Sequence, residues 1–134
     1  MENKYGGKER RKSNRLDVAF TLIYSVEKPL TLRIQLGIAD DINAFMVNLS
    51  DLGMALVTSQ DIPLLAQLYI KFDLIDLRLE GEERRQHIEM TGEVVSNTAI
   101  ADGSHRLGIR FDNLSDHDKI TLNRFVKRNS LPAS

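Results

Sequence analysis

Residues 16–26 read LDVAFTLIYSV, and this stretch decides the class of fold. Leu16, Val18, Phe20, Leu22, Tyr24 and Val26 fall on one phase of a two-residue period, while Asp17, Ala19, Thr21 and Ser25 mostly fill the other. A strand turns successive side chains to opposite faces, so the pattern is that of a half-buried β-strand. The same signal recurs downstream. Beyond a Glu27-Lys28-Pro29 turn, Leu30, Leu32, Ile34, Leu36 and Ile38 alternate with Thr31, Arg33 and Gln35, which predicts a second strand. ADDIN (39–43) breaks the run, and AFMVNLS (44–50) and GMALVTS (53–59) are short β-rich runs flanking Asp51-Leu52-Gly53.

After Pro63, the residues Ala66, Leu68, Ile70, Phe72 and Leu74 alternate with Gln67, Tyr69, Lys71 and Asp73. LEGEERRQ (79–86) reads as a charged loop, and Ile88, Met90 and Val94 belong to the strand after it. Asp102-Gly103 within ADGS (101–104) signals a hairpin, because glycine accepts positive φ. Leu107, Ile109 and Phe111 form the return strand. The last segment alone reads as helix. Ser115 can cap the free amides, Asp118 suits the positive helix end, and Leu114, Leu122, Phe125 and Val126 form an apolar stripe. Lys127 and Arg128 suit its last turn, and Asn129 and Pro132 stop it. Evenly spaced strands with one terminal helix predict an all-β fold, an antiparallel barrel with the helix across one opening or along one side. Closure would remove exposed strand edges.

The chain has 134 residues and no cysteine, which suits one domain and excludes disulfides and cysteine zinc sites. No apolar run approaches the ~20 residues of a membrane span, and MENKYGGKER (1–10) lacks the apolar core of a signal peptide. The expectation is a soluble cytoplasmic protein. Net charge is −1, but residues 1–15 hold six Lys/Arg against Glu2 and Glu9, so the arm carries +4 and the body −5. A basic arm on an acidic body suits an anionic ligand held between the two. The plainer reading is a solvated tail, disordered until something binds.

Two motifs carry chemistry. The first is R-x-x-x-R at Arg11 and Arg15, preceded by Arg10; the second is N-x-S-x-x-G at Asn48, Ser50 and Gly53, in NLSDLG. Arginine offers a rigid fork of donors that grips phosphate bidentately, matches the acceptors on guanine's Hoogsteen edge, and stacks on bases. Asn48 brings a donor and an acceptor, Ser50 a small hydroxyl, and Gly53 either an unusual backbone conformation or close approach. Asp51 is expected to be exposed. Alone, each motif is weak, and NLSDLG also fits an ordinary turn whose Asn and Ser bond the local backbone.

In this order the two motifs resemble the PilZ domain family, bacterial receptors for cyclic di-GMP. The resemblance runs from about Arg10 to Arg128 and takes in RLGIRF (106–111) and the closing helix. It implies a six-stranded antiparallel barrel over residues 10–130, with a flexible arm at 1–9 and a tail at 131–134. It implies that Asn48, Ser50 and Gly53 form a guanine-facing wall, with Arg11 and Arg15 on base and phosphate and Arg10 beside them. It implies a non-enzymatic receptor, with no cofactor beyond the ligand, acting through an effector protein on motility, exopolysaccharide or biofilm, with a homodimer possible and no DNA, RNA or membrane insertion. The distance from Arg15 to Asn48 is long for the family and is assigned to an extended first hairpin.

Rival readings are an adaptor of the same fold that binds no nucleotide, and a nucleic-acid binder using the arm. The acidic body and the lack of a sustained basic stripe disfavour the latter. EERR (82–85) reads as solvated loop. His87, His105 and His117 are expected in or beside loops and at the helix start, without ligand spacing, which argues against metal. A Ser50-based hydrolase lacks a G-x-S-x-G elbow. Tyr5 and Tyr24 could stack on bases, though Tyr24 sits on the core phase.

Overall fold

The computed structural model describes residues 15–35 and 41–130. Its elements are β1 (Leu16–Lys28), α1 (Leu30–Gln35), β2 (Ile42–Leu49), β3 (Gly53–Thr58), β4 (Gln67–Ile75), a 3-10 turn (Gly81–Arg84), β5 (Arg85–Ala99), β6 (His105–Asn113) and α2 (Asp116–Ser130). The six strands close into an antiparallel barrel in the order β1-β2-β3-β6-β5-β4. The core-phase residues of the alternating runs fill it: Leu22, Tyr24 and Val26 of β1, Leu68, Ile70, Phe72 and Leu74 of β4, and Ile88, Met90 and Val94 of β5 are buried. Tyr24 is core, as its phase requires. Its hydroxyl meets the Thr58 hydroxyl at 2.7 Å. Burial pushes its pKa above 10.0, opposed by that hydrogen bond.

The predicted strand at Leu30–Ile38 is corrected. Residues 30–35 form helix α1, while residues 36–40 lie outside the described residues. Alternation specifies a strand only where one face is covered and a neighbouring strand takes up its backbone groups. Here Leu30 and Ile34 stay 63% and 77% exposed, and Leu32 alone is partly buried against the core. The Pro29 carbonyl accepts from the Leu32 and Arg33 amides at 3.1 and 3.4 Å, closing helical turns instead. The extra length between Arg15 and Asn48 therefore lies where expected, in the first hairpin's connection, but as a helix.

The charged loop is shorter than predicted, since Arg85 and Gln86 already belong to β5. The Asp102-Gly103 hairpin is present, with φ of 64° and 74° at the two residues. Helix α2 starts as predicted: the Ser115 hydroxyl accepts the Asp118 amide at 3.1 Å. It buries Leu122, Phe125 and Val126. Phe125 lies 5.9 Å, centroid to centroid, from Phe20 of β1. The far end of α2 is locked by a buried carboxylate. Asp76, just past β4 and 4% exposed, accepts from Arg128 Nε at 3.1 Å, Asn129 Nδ2 at 3.2 Å and the Arg78 amide at 3.0 Å. Pro132 lies outside the described residues.

A buried carboxylate deprived of its cation keeps its desolvation cost and loses the compensation. Arg128→Ala is expected to lower unfolding free energy by about 1–3 kcal/mol. Lys127→Ala, one position away and exposed, should stay within about 0.5 kcal/mol of wild type. Urea unfolding of the two variants makes the comparison, and equal losses would refute the lock.

Candidate functional site

The register of the first hairpin builds the site. Leu16 pairs with Leu49 and Asp17 with Asn48, so Arg15 arrives beside the β2–β3 turn from more than thirty positions away in sequence. That turn is NLSDLG. The ladder between β2 and β3 shifts at Val47, with Met46 opposite Leu56 and Asn48 opposite Ala55. The extra residue is a β-bulge, and Asn48 repairs it. Its Oδ1 accepts the Ala55 amide at 3.1 Å, which leaves the carboxamide Nδ2 as its donor.

Ser50 holds the turn. Its Oγ accepts the Leu52 and Gly53 amides, both at 3.2 Å, and donates to the Gly53 carbonyl at 3.3 Å. One hydroxyl has one proton and two lone pairs, and the turn uses all three. Gly53 is required for close approach. A Cβ there would lie 2.1 Å from the Ile109 carbonyl oxygen. The Phe111 amide donates to Leu52 O at 3.0 Å, tying the turn to β6. Asp51 is half-buried rather than exposed.

These residues line one cleft of about 710 Å³ on the barrel wall, which unites Arg15, Asn48, Ser50 and Gly53. Its floor includes Gly53, Ala55 and Gly108, small residues that keep it low. At Gly108 a Cβ would fall 2.4 Å from Ser96 Oγ, so the serine hydroxyl would have to rotate away. Leu52 and Val95, 59% and 49% exposed, give apolar sides. Two further arginines face the cleft, Arg106 and Arg110 of β6. Arg110 pairs with Glu93 across β5. Among the described residues the lining thus holds three arginines, one of them paired with Glu93, and no acidic side chain, on a body whose net charge is negative. Chemically, such a place takes a planar, polyanionic ligand. Guanidiniums bind phosphates, and a flat floor with apolar sides admits a base.

Arg10 and Arg11 lie outside the described residues, as does Tyr5. Arg106 and Arg110 were not singled out by sequence reasoning as site residues. RLGIRF carried the signal, since both arginines fall on the outward phase of a strand whose inward phase is Leu107, Ile109 and Phe111.

The histidines sit elsewhere, and two of them in strands. His105 opens β6 and His117 lies in the first turn of α2. His87 lies in β5, three residues past the 3-10 turn and so beside the charged loop as expected, its ring nitrogens 2.9 Å from an Asp73 oxygen and 2.7 Å from a Glu89 oxygen. Arg85 also grips Asp73, at 2.8 Å. Among the described residues no group of His, Asp and Glu has a metal-binding arrangement. No helix among them is long and apolar enough to cross a membrane.

A model of the PilZ domain family matches residues 9–128 of the sequence. No curated protein matches. Solved structures share the fold. The Bacillus subtilis inhibitor of motility, MotI/DgrA, is 16% identical with a TM-score of 0.68, over 90% of this chain and 51% of that one, so this chain spans about half of that protein's length. The PilZ domain of YcgR from Escherichia coli, solved with c-di-GMP, is 15% identical with a TM-score of 0.57, over 89% and 90% of the two chains. A tetrameric PilZ domain from Xanthomonas campestris is 14% identical with a TM-score of 0.51, over 87% and 84%.

Two predictions follow from this geometry. Gly53→Ala should lower stability by about 1–3 kcal/mol through overpacking against the β6 backbone, whereas Ala at the exposed Asp51 neighbour Leu52 should cost far less; thermal melts distinguish them. The histidine cluster sets a pH dependence. Hydrogen bonds to Asp73 and then Glu89 raise the His87 pKa above 6.5. His87 and then Arg85 lower the Asp73 pKa below 3.8, and Tyr69 and then His87 lower that of Glu89 below 4.5. The imidazolium's stabilisation is complete below 6.5 and lost as pH rises through the raised value. The carboxylates' contribution is present above 4.5 and lost as pH falls through their lowered values. The cluster should therefore stabilise most between those limits, modestly and less in salt because it is exposed. An NMR titration should place the His87 midpoint above 6.5, and the stability gap to His87→Gln should shrink toward pH 9.

Proposed function

We propose, from the premise that this chain belongs to the PilZ domain family, that it is a receptor for cyclic di-GMP. The observation that carries the reading is the hairpin register that brings Arg15 to the Asn48–Gly53 turn inside an arginine-lined cleft with Arg106 and Arg110. The chemistry of the ligand matches each part. Two phosphates meet guanidiniums. A guanine lies on the small-residue floor between Leu52 and Val95, and its O6 and N7 acceptors take the Asn48 amide or an arginine fork. Ser50 acts by holding the turn that aims Asn48 and lets Gly53 approach β6.

Arg11 and Arg10 supply further donors from the sequence before Arg15, and ligand binding fixes residues 8–15 over the cleft. Ordering costs about 1–2 kcal/mol per residue, which the charge-assisted contacts must exceed. The receptor performs no catalysis. It signals by changing the surface it offers a partner protein, in the manner expected of a motility, exopolysaccharide or biofilm effector, and the site of action is the cytoplasm. MotI/DgrA is described as an inhibitor of motility and MrkH as a c-di-GMP-dependent transcription regulatory factor, so the output differs among proteins of this fold.

Titration calorimetry with cyclic di-GMP is the test. Wild type should bind one or two molecules per chain. Arg11→Ala and Arg15→Ala should each weaken binding at least tenfold, about 1.4 kcal/mol, and amide exchange at residues 8–15 should slow when ligand is added. Neither heat nor thermal shift at high ligand concentration would reject the receptor and leave the nucleotide-free adaptor. Unchanged exchange with intact binding would reject the ordered arm alone.

A further inference from the structure

A second opening lies on another part of the barrel, and it is made of backbone. The ladder between β1 and β4 runs from Lys28–Gln67 to Ile23–Lys71 and stops there, although both strands continue. Beyond that point each strand keeps its other neighbour. Leu22, Thr21 and Phe20 pair with Ala44, Phe45 and Met46 of β2, and Phe72, Asp73, Leu74 and Ile75 pair with Ile88, His87, Gln86 and Arg85 of β5. Among the described residues two strand edges therefore face each other without pairing, across a cavity of about 590 Å³. The cause is local. The β1–β2 register shifts between Asp17 and Phe20, and such a bulge bends its strand. Phe20, half-buried at the cavity wall, is met on its other side by Phe125 of α2.

We propose that this split takes up one short extended strand from a partner protein, uncharged at its centre and apolar at alternate positions. The facing edges supply rows of amide donors and carbonyl acceptors, which an added strand satisfies with its own backbone. The cavity is lined by β1 residues 19–23 and by β4 residues between Lys71 and Ile75. Five residues at 3.3 Å each make a site about 16 Å long. Phe20, Leu22 and Phe72 give it apolar walls, which suit alternate apolar side chains. Ala19 and Thr21 are small and leave room for a backbone. The fixed charges of the lining balance, Lys71 and Arg85 against Asp73 and Glu89, with Arg85 on Asp73 and the His87 ring bonded to both carboxylates. A rim without surplus charge is complementary to a strand without charge at its middle, and a charged one would be desolvated there unpaired. A bare, partly apolar strand edge is otherwise an aggregation hazard.

This inference does not depend on nucleotide binding, and its test uses the full chain without cyclic di-GMP. A displayed library of random heptapeptides is panned on wild type, with counter-selection against Ala19→Arg/Thr21→Arg. Both positions are exposed, so the fold should be kept, as circular dichroism will show; if it is not, Ile75→Arg on the opposite lip replaces the pair. Enriched peptides should alternate apolar residues and lack central charge. A synthetic copy should shift amide resonances of residues 19–23 and 71–75. N-methylation of its alternate backbone amides should weaken it at least tenfold. Absence of peptides that prefer wild type over the blocked variant overturns the proposal. So do shifts that map elsewhere, or an N-methylated peptide that binds equally well.

Discussion

The register of β1 on β2 is the constraint from which the rest follows. A strand's side-chain period is two, so a one-residue slip would send every inward residue of β1 to solvent. Burial of Leu22, Tyr24 and Val26 therefore sets which residue of β2 each must face. Once Leu16 lies opposite Leu49, Arg15 has no freedom to be anywhere but at the NLSDLG turn. The apolar core, which has no chemistry of its own, thus fixes the place of a cation. The bulge at Val47 then becomes tolerable because Asn48 can take the Ala55 amide with its side chain. A hydrophobic residue at 48 would leave that amide unpaired at the floor of the cleft.

Small residues do for the cleft what large ones do for the core. Gly53 is excluded from bearing a Cβ by the Ile109 carbonyl, and a Cβ at Gly108 would displace the Ser96 hydroxyl. The same approach that forbids a side chain leaves a flat surface between Arg106 and Arg110. Charge on that surface is only partly matched, since Glu93 lies directly opposite Arg110 in the β5–β6 ladder while, among the described residues, Arg15 and Arg106 have no such acidic neighbour in the lining. Glu93 pairs with Arg110, yet the lining gathers three guanidiniums while the barrel as a whole stays acidic. Whole-chain net charge of −1 is therefore a poor guide to what the protein can bind, because field strength depends on where like charges gather.

Most strands, the hairpin at Asp102-Gly103 and the capped terminal helix were legible in the sequence, because each has a local cause: alternation, a residue that accepts positive φ, a hydroxyl before free amides. The segment at Leu30–Gln35 was not. Its alternation is genuine, but no neighbouring strand gives it one wet and one dry face, and Leu30 and Ile34 end in solvent. Periodicity reports environment only when the fold provides the environment. The grouping of Asn48, Ser50 and Gly53 was legible from their spacing, and their meeting with Arg15 from the motif order. Arg106 and Arg110 were not, since they reach the cleft only through the pairing of β3 with β6, a long-range contact that no local pattern encodes. Arg85 and Gln86 were read as loop for a related reason: a run of charges suggested loop, whereas the charges from Arg85 on are the outward phase of paired strands, matched across Asp73–His87 and Lys71–Glu89.

Strand β1 serves two surfaces at once, and this has a thermodynamic consequence. Its first residues reach the arginine cleft, and the residues after the bulge form one edge of the split. A bulged strand is held by fewer ladder bonds than a regular one, and beyond the bulge β1 also lacks its β4 partner, so the bend is lightly held. A ligand that fixes Arg15 limits where the bend can go, and a strand seated in the split limits it from the other side. Any free energy by which occupation of one surface alters the other must be equal in both directions. Coupling of this kind needs no path through the core and no second domain. It needs only that the bend have different preferred positions when each surface is filled.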